Sequence, residues 1–165
     1  MTLSQERLKE LLDYDPETGV FRWRVRTNGR ICVGDIAGSV HIKGHRYIGV
    51  DRGLYFAHRL AWLYMTGQWP LDQIDHKNTL PDDNRWENLR LATRSQNIAN
   101  ARKLKRGGTS RFKGVYWIKA DRKWSAQIRV RGKLIILGRF NDEQAAHEAY
   151  MKAATKYFGD FARAA

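Results

Sequence analysis

The stretch RKWSAQIRVRGKL, residues 122–134, alternates one for one between apolar and polar side chains: Trp124, Ala126, Ile128 and Val130 against Ser125, Gln127, Arg129 and Arg131. This period suits a strand with one covered face and cannot be met by a helix, whose side chains repeat about every 3.6 residues. One strand alone buries nothing. GVYWI before it and LIILGRF after it have the composition of two further strands, with ADRK and RGK as turns. Phe140, Asn141 and Gln144 then read as the staple and cap of a helix whose Ala145, Ala146, Ala149, Tyr150, Ala153 and Tyr157 form a small-residue stripe. The unit expected over residues 111–165 is a three-stranded antiparallel sheet backed by one helix, with His147 on the helix's outer side and without a special role.

Charge says what such a sheet would meet. The chain carries a formal net charge of +13, from 30 Lys and Arg against 17 Asp and Glu, and nine of the cations lie between residues 111 and 139 beside a single acid, Asp121. A polyanion is the expected partner, because neutralising phosphates releases condensed counterions. Nucleic acid leads, with an anionic membrane as the rival, and for the sheet double-stranded DNA is the expected form. Outward Arg129 and Arg131 suit base edges in the major groove, while Lys119, Arg122, Lys123 and Lys133 near the turns suit phosphates. Arg111, Lys113, Tyr116 and Trp117 complete the expected DNA surface. The basic stretch 103–110, with Lys103, Lys105 and Arg106 after Arg102, reads as a linker that follows a phosphate backbone. The bland alternative is a solvated basic face with no specific partner. No apolar run reaches the roughly 18 residues of a membrane span, and MTLSQERLKE has no signal core, so membrane and export are not expected and a cytoplasmic location is. Cys32 is the only cysteine, which excludes an internal disulfide and a thiolate-rich zinc site.

The first hundred residues are organised differently. LSQERLKELLD predicts a short helix capped by Ser4; DPETG turns the chain; VFRWRV reads as a strand. Glycines at 29, 34, 38, 44, 49 and 53 then punctuate short β-branched and aromatic pieces, which fits a turn-rich sheet over the 1–54 region. AHRLAWLYMTG, residues 57–67, predicts a helix stopped by Gly67. After it come a strand ending at DQIDHKN, a polar loop, a short strand LRLA at 89–92, and a helix opened by a Thr93/Gln96 capping box.

That last segment carries the chemistry. Asp75 offers an anionic oxygen and Asn97 a neutral one, both suited to Mg2+ or Mn2+, and His76 can take a proton from water near neutral pH. A regular strand would send Asp75 and His76 to opposite faces, so a shared site requires the strand to end or splay there. His58 reads either as a packed histidine or as a contact near a scissile phosphate. Arg59 and Arg94 are phosphate clamps or structural charges, and Asn84 holds the loop or touches metal indirectly. His41 and His45, in strand-like sequence with no carboxylate close by, are expected to have no metal role.

Two resemblances sharpen this reading. RFKGVYW followed by RKWSAQIRVRGKLIILGRFNDEQAAHEAYMKAATKYFG is similar to the AP2 DNA-binding domain, through Gly114, Val115, Trp124, Ala126, Ile128, Leu137, Gly138, Phe140 and the alanines of the helix. It departs where Tyr116 and Trp117 replace the arginines expected after Gly-Val. HRLAW, IDH, DNRWENLR and SQNIAN stand in the order found in HNH endonucleases of the phage and mobile-intron homing kind. This resemblance implies an α+β chain with a ββα-metal nuclease core at 55–102, a basic linker at 103–110 and an AP2-like unit at 111–165. It further implies one Mg2+ or Mn2+ on Asp75 and Asn97, His76 as general base, Asn88 as the residue that fixes the loop, and 5′-phosphate and 3′-hydroxyl products. A monomer would nick; a double-strand break would need a homodimer or sequential action, and both stay open. A DNA-binding regulator on a catalytically silent HNH-like scaffold is the alternative.

Overall fold

A computed structural model describes residues 3–27, 29–102 and 109–163, so residues 103–108 of the expected linker, with Lys103, Lys105 and Arg106, lie outside the described residues. The chain divides into two units, Met1–Leu91 and Ala92–Ala165.

In the first unit α1 (Gln5–Leu11) begins where the Ser4 hydroxyl accepts the Arg7 amide at 3.2 Å. It buries Leu8 and Leu11 and runs straight into the hairpin of β1 (Leu12–Asp15) and β2 (Val20–Trp23). The DPETG turn is knotted by Asp15, whose carboxylate accepts the Glu17 amide at 2.9 Å and the Thr18 hydroxyl at 2.7 Å. The glycine-punctuated stretch supplies β3 (Ser39–Val40), β4 (Arg46–Val50) and β5 (Gly53–Phe56), an antiparallel sheet in the order β3-β4-β5. α2 (Ala57–Thr66) follows β5 without a side-chain cap and stops at Gly67, where φ is 76°. Leu8, Leu12, Phe21, Ile48, Leu60 and Leu63 join α1, the hairpin, β4 and α2 in one buried cluster. β6 (Gln73–His76) and β7 (Leu89–Ala92) pair as a two-stranded sheet, separated by the polar loop and a 3-10 turn at Trp86–Asn88. Trp86 packs on Trp62 of α2, ring centroids 5.1 Å apart, which holds the loop to the core.

The second unit opens with α3 (Arg94–Asn100), whose capping box between Thr93 and Gln96 forms as expected. β8 (Val115–Ile118), β9 (Lys123–Val130) and β10 (Lys133–Phe140) make an antiparallel sheet in the order β10-β9-β8, packed on α4 (Glu143–Phe158). Three local expectations are corrected. The α4 N-cap is Asp142 rather than Asn141: its carboxylate accepts the Ala145 amide at 2.9 Å. Ser125, expected on the exposed face, is buried, because on the central strand its cross-strand neighbours Tyr116 and Arg139 flank so small a side chain. His147 is buried too, stacked on Phe112 with centroids 4.0 Å apart.

Gly114 sets how closely the sheet approaches α4. Its φ is 68°, and a Cβ there would lie 2.3 Å from the Tyr150 ring and 2.5 Å from the Gln127 carbonyl. Gly114→Ala therefore combines left-handed strain with overpacking and is expected to cost about 2–4 kcal/mol. Denaturant unfolding followed by tryptophan fluorescence measures this; an unchanged midpoint would refute the tight approach.

Candidate active site

The polar stretch between β6 and β7 is ordered by its own side chains. Asn88 accepts the Asn78 amide through Oδ1 at 3.0 Å, and its Nδ2 donates to Asn78 Oδ1 at 3.1 Å and to the Asp83 carbonyl at 2.7 Å. Asn78 in turn donates to Asp83 Oδ2 at 2.6 Å, and the Lys77 amide reaches the Asn88 carbonyl at 2.9 Å. Arg85 forks onto both Asp83 oxygens at 2.8 Å and, as the largest influence, draws that carboxyl down to about 2. The first hairpin braces the loop from below. Tyr14 donates its hydroxyl to the Asn84 carbonyl at 2.7 Å and the Trp86 amide bonds the Pro16 carbonyl at 2.9 Å. A Cβ on Gly19, where φ is 73°, would lie 2.4 Å from the backbone of Asn84 and Arg85, so only glycine lets the turn come this close.

His76 closes β6 and is held by this loop. Its Nε2 lies 3.2 Å from Asn84 Oδ1, and Asn84 is 1% exposed. The Asn84 Nδ2 donates to the Asp82 carbonyl at 3.1 Å, which assigns its oxygen to the imidazole. An amide oxygen only accepts, so His76 Nε2 carries the proton and Nδ1 keeps its lone pair. Burial lowers the His76 pKa and so favours the neutral, basic form, while the Asn84 hydrogen bond pulls the other way.

Two more imidazoles meet this one. His58, in the first turn of α2, is buried, and that burial, helped by His76 and His45, pushes it down to about 3. His45 immediately precedes β4 and reaches the backbone of Pro81, while its neighbour Arg46 forks onto Asp82 with both bonds at 3.0 Å. Ring centroids are 5.1 Å apart for His58 and His76, 5.3 Å for His45 and His58, and 5.8 Å for His45 and His76. One nitrogen from each lies within 4.8 Å of the other two, an arrangement able to hold a metal ion. His45, expected to have no metal role, thus belongs to a cluster able to hold a metal ion. The β3–β4 turn brings it to the loop, and no local signal in HIKGHRY announces that fold-back.

Asp75 is also buried, and Arg90 of β7 donates Nε to its Oδ2 at 2.9 Å. Ile74, Asp75 and His76 are all covered, so β6 is enclosed on both faces and burial does not alternate along it. The strand stops at His76, where a turn at Lys77 begins. Arg90 was not singled out by its sequence context; its signal is a lone cation on the strand paired with the acid-bearing one.

The other predicted residues fall as follows. Asn97 sits half-buried in α3, in the second unit, and Arg94 is exposed at that helix's first turn. Arg59 is half-buried, its guanidinium 5.9 Å from the Trp69 ring centre and 3.4 Å from the Pro70 carbonyl. Arg102, Arg111, Lys119, Arg122, Lys123, Arg129, Arg131 and Lys133 are exposed. Lys113 departs from its expected surface role: Nζ donates to the carbonyls of Ile98, Ala99 and Ala101 at 2.6, 2.7 and 3.0 Å, closing the C-terminus of α3. Burial lowers its pKa to about 8. Strand register places Tyr116 with Ser125 and Arg139 on the sheet face opposite α4, whereas Trp117 shares Trp124's face, centroids 5.1 Å apart. Arg139, which joins Asp121 in an ion pair, belongs to the open face and was missed.

Among the described residues no helix is long and apolar enough to cross a membrane. No solved structure matches the chain. Residues 55–99, about a quarter of the chain, match the family model described as HNH endonuclease. The match runs from the end of β5 through α2, β6, the Asn-knotted loop and β7 into α3, so an HNH-type nuclease domain, with a histidine cluster able to hold metal, occupies this part of the chain.

Proposed function

We propose that the protein is a divalent-metal-dependent DNA endonuclease in which residues 55–102 cut and an AP2-like unit at 111–165, reached through the basic stretch 103–110, positions the cut on duplex DNA. The observation that carries the reading is the His76–Asn84 pair, which holds a buried imidazole at the end of β6 as its Nε2–H tautomer, with Nδ1 the unprotonated nitrogen. His76 Nδ1 acts as general base: it takes a proton from the water that attacks phosphorus, and the P–O3′ bond breaks to leave a 5′-phosphate and a 3′-hydroxyl. Asn88 keeps the loop, and through Asn84 the imidazole, in that orientation. Asp75 and Asn97 would hold one Mg2+ or Mn2+, and their oxygen donors suit a hard cation; Asp75 is a buried carboxylate already matched to one cationic group, Arg90. The cation would supply Lewis-acid stabilisation of charge on the leaving oxygen. On the sheet, Arg129 and Arg131 read bases while Arg122, Lys123, Lys119 and Lys133 meet phosphates. The resemblance to phage and mobile-intron homing enzymes supports a bacterial or phage-infected cytoplasm as its place of action.

Supercoiled plasmid incubated with Mg2+ or Mn2+ is expected to yield nicked circles before linear DNA, because one site cuts one strand. His76→Ala should lose roughly 100-fold or more in rate. Equal cutting by the variant removes His76 as base, and no cutting of varied DNA by the wild type favours a DNA-binding regulator. Asn84→Ala should lower kcat roughly 10- to 100-fold with DNA affinity retained, since it frees the ring without touching DNA; an unchanged kcat breaks the positioning argument. For the sheet, Arg122→Ala with Lys123→Ala should reduce the slope of log Kd against log salt by about 2. A slope unmoved across a salt series would exclude that turn from phosphate contact.

A further inference from the structure

Three imidazoles converge beside the proposed base, more than the cutting reaction uses. They come from the residue before β4, the first turn of α2 and the end of β6, and no carboxylate is among them. Nδ1 of His45 and of His58 are both buried without a hydrogen-bond partner among the described residues. Buried polar atoms are normally satisfied, so two orphaned nitrogens in one cluster need an occupant. Two of the three rings are fixed through a second nitrogen: His76 Nε2 on the Asn84 amide oxygen and His45 on the Pro81 backbone. A carbonyl oxygen behind an imidazole is how proteins set the tautomer of metal-ligating histidines.

We propose that His45, His58 and His76 form a second cation site, selective for a borderline transition metal of the Zn2+ class, and that its occupation withdraws His76 Nδ1 from catalysis, making zinc an inhibitor of the Mg2+- or Mn2+-supported reaction. Neutral nitrogen donors favour zinc over magnesium, just as the oxygens of Asp75 and Asn97 favour the reverse. The ligand nitrogens lie within 4.8 Å of one another. Zinc–nitrogen bonds of about 2.0–2.1 Å in a tetrahedron need nitrogens roughly 3.4 Å apart, a closure of up to about 1.4 Å that side-chain rotation supplies. Three protein ligands leave a fourth position for water, as in an open zinc site. The inhibitory half rests on His76 being the base, while the binding half does not.

The test uses the full chain. Competition for Zn2+ against a chromogenic chelator is expected to find one high-affinity ion per chain, with Co2+ giving the intense visible absorption of a tetrahedral site. Affinity should fall at least tenfold in His45→Ala, in His45→Gln and in His58→Ala, and stay unchanged in His41→Ala, whose ring meets Tyr47 edge-on outside the cluster. Absence of zinc uptake, or uptake unaltered in both His45 variants, overturns the site. In plasmid nicking with Mg2+, stoichiometric zinc should suppress the wild type, and the two His45 variants, each relative to its own zinc-free rate, should escape. Zinc bound at the trio with nicking unaffected, or zinc alone supporting full cleavage, overturns the inhibition. If instead His76→Ala cuts like the wild type while the trio still binds zinc, the base assignment fails and the metal site stands.

Discussion

The hydrogen bond between His76 Nε2 and Asn84 Oδ1 has directional value only because Asn84 is fixed from several sides. Tyr14 holds its carbonyl, its amide bonds back to Asp82, and the Gly19 turn presses against its backbone. A free loop of the composition KNTLPDDNRWEN would spend its polar groups on water. Here Asn78, Asp83 and Asn88 spend them on one another, which lets Asn88 be buried with its amide paired. The N-terminal helix and hairpin thereby acquire a purpose: they are the floor of the site, and the core from Leu8 to Leu63 gives that floor its rigidity.

Two kinds of donor stand side by side on β6. Asp75 faces a guanidinium and offers oxygen; His76 faces imidazoles and an amide and offers nitrogen. Adjacent residues on a strand alternate in direction, and enclosure of both faces gives each side chain a buried environment of its own. Burial acts on them oppositely. A buried carboxylate needs a cation, which Arg90 provides, whereas a buried imidazole sheds its proton and becomes a base or a ligand.

Much of this was legible before any coordinates. Period-two alternation located β9, the Thr93/Gln96 pair located the start of α3, and Gly67 located the end of α2. Those signals are local: they depend on residues a few positions apart. What escaped was set by long-range closure. His45 reaches His76 across 31 positions, Arg90 meets Asp75 across a hairpin, and Lys113 closes a helix that ends before the basic stretch. Asn141 lost the capping position to Asp142 by one residue, because the extended backbone ended one step later than the staple pattern implied.

Net charge is the most easily read property of this chain and the least easily assigned. The formal +13 points to a polyanion, yet several cations serve the fold. Arg46 and Arg85 tie the site loop through Asp82 and Asp83, Arg90 neutralises Asp75, and Lys113 gives three bonds to the end of α3. Each is held by anions or carbonyls at fixed geometry, and drawing it away to a phosphate would break those bonds. The cations on the turns of the sheet, Lys119, Arg122, Lys123, Arg131 and Lys133, are exposed instead. Two turn residues, Arg122 and Arg131, have positive φ, at 51° and 48°, so tight turns present their side chains at the sheet's two ends. Turn geometry thus gathers exposed cations at the sheet's two ends, and the face between them carries Arg129 beside exposed Leu134 and Ile136.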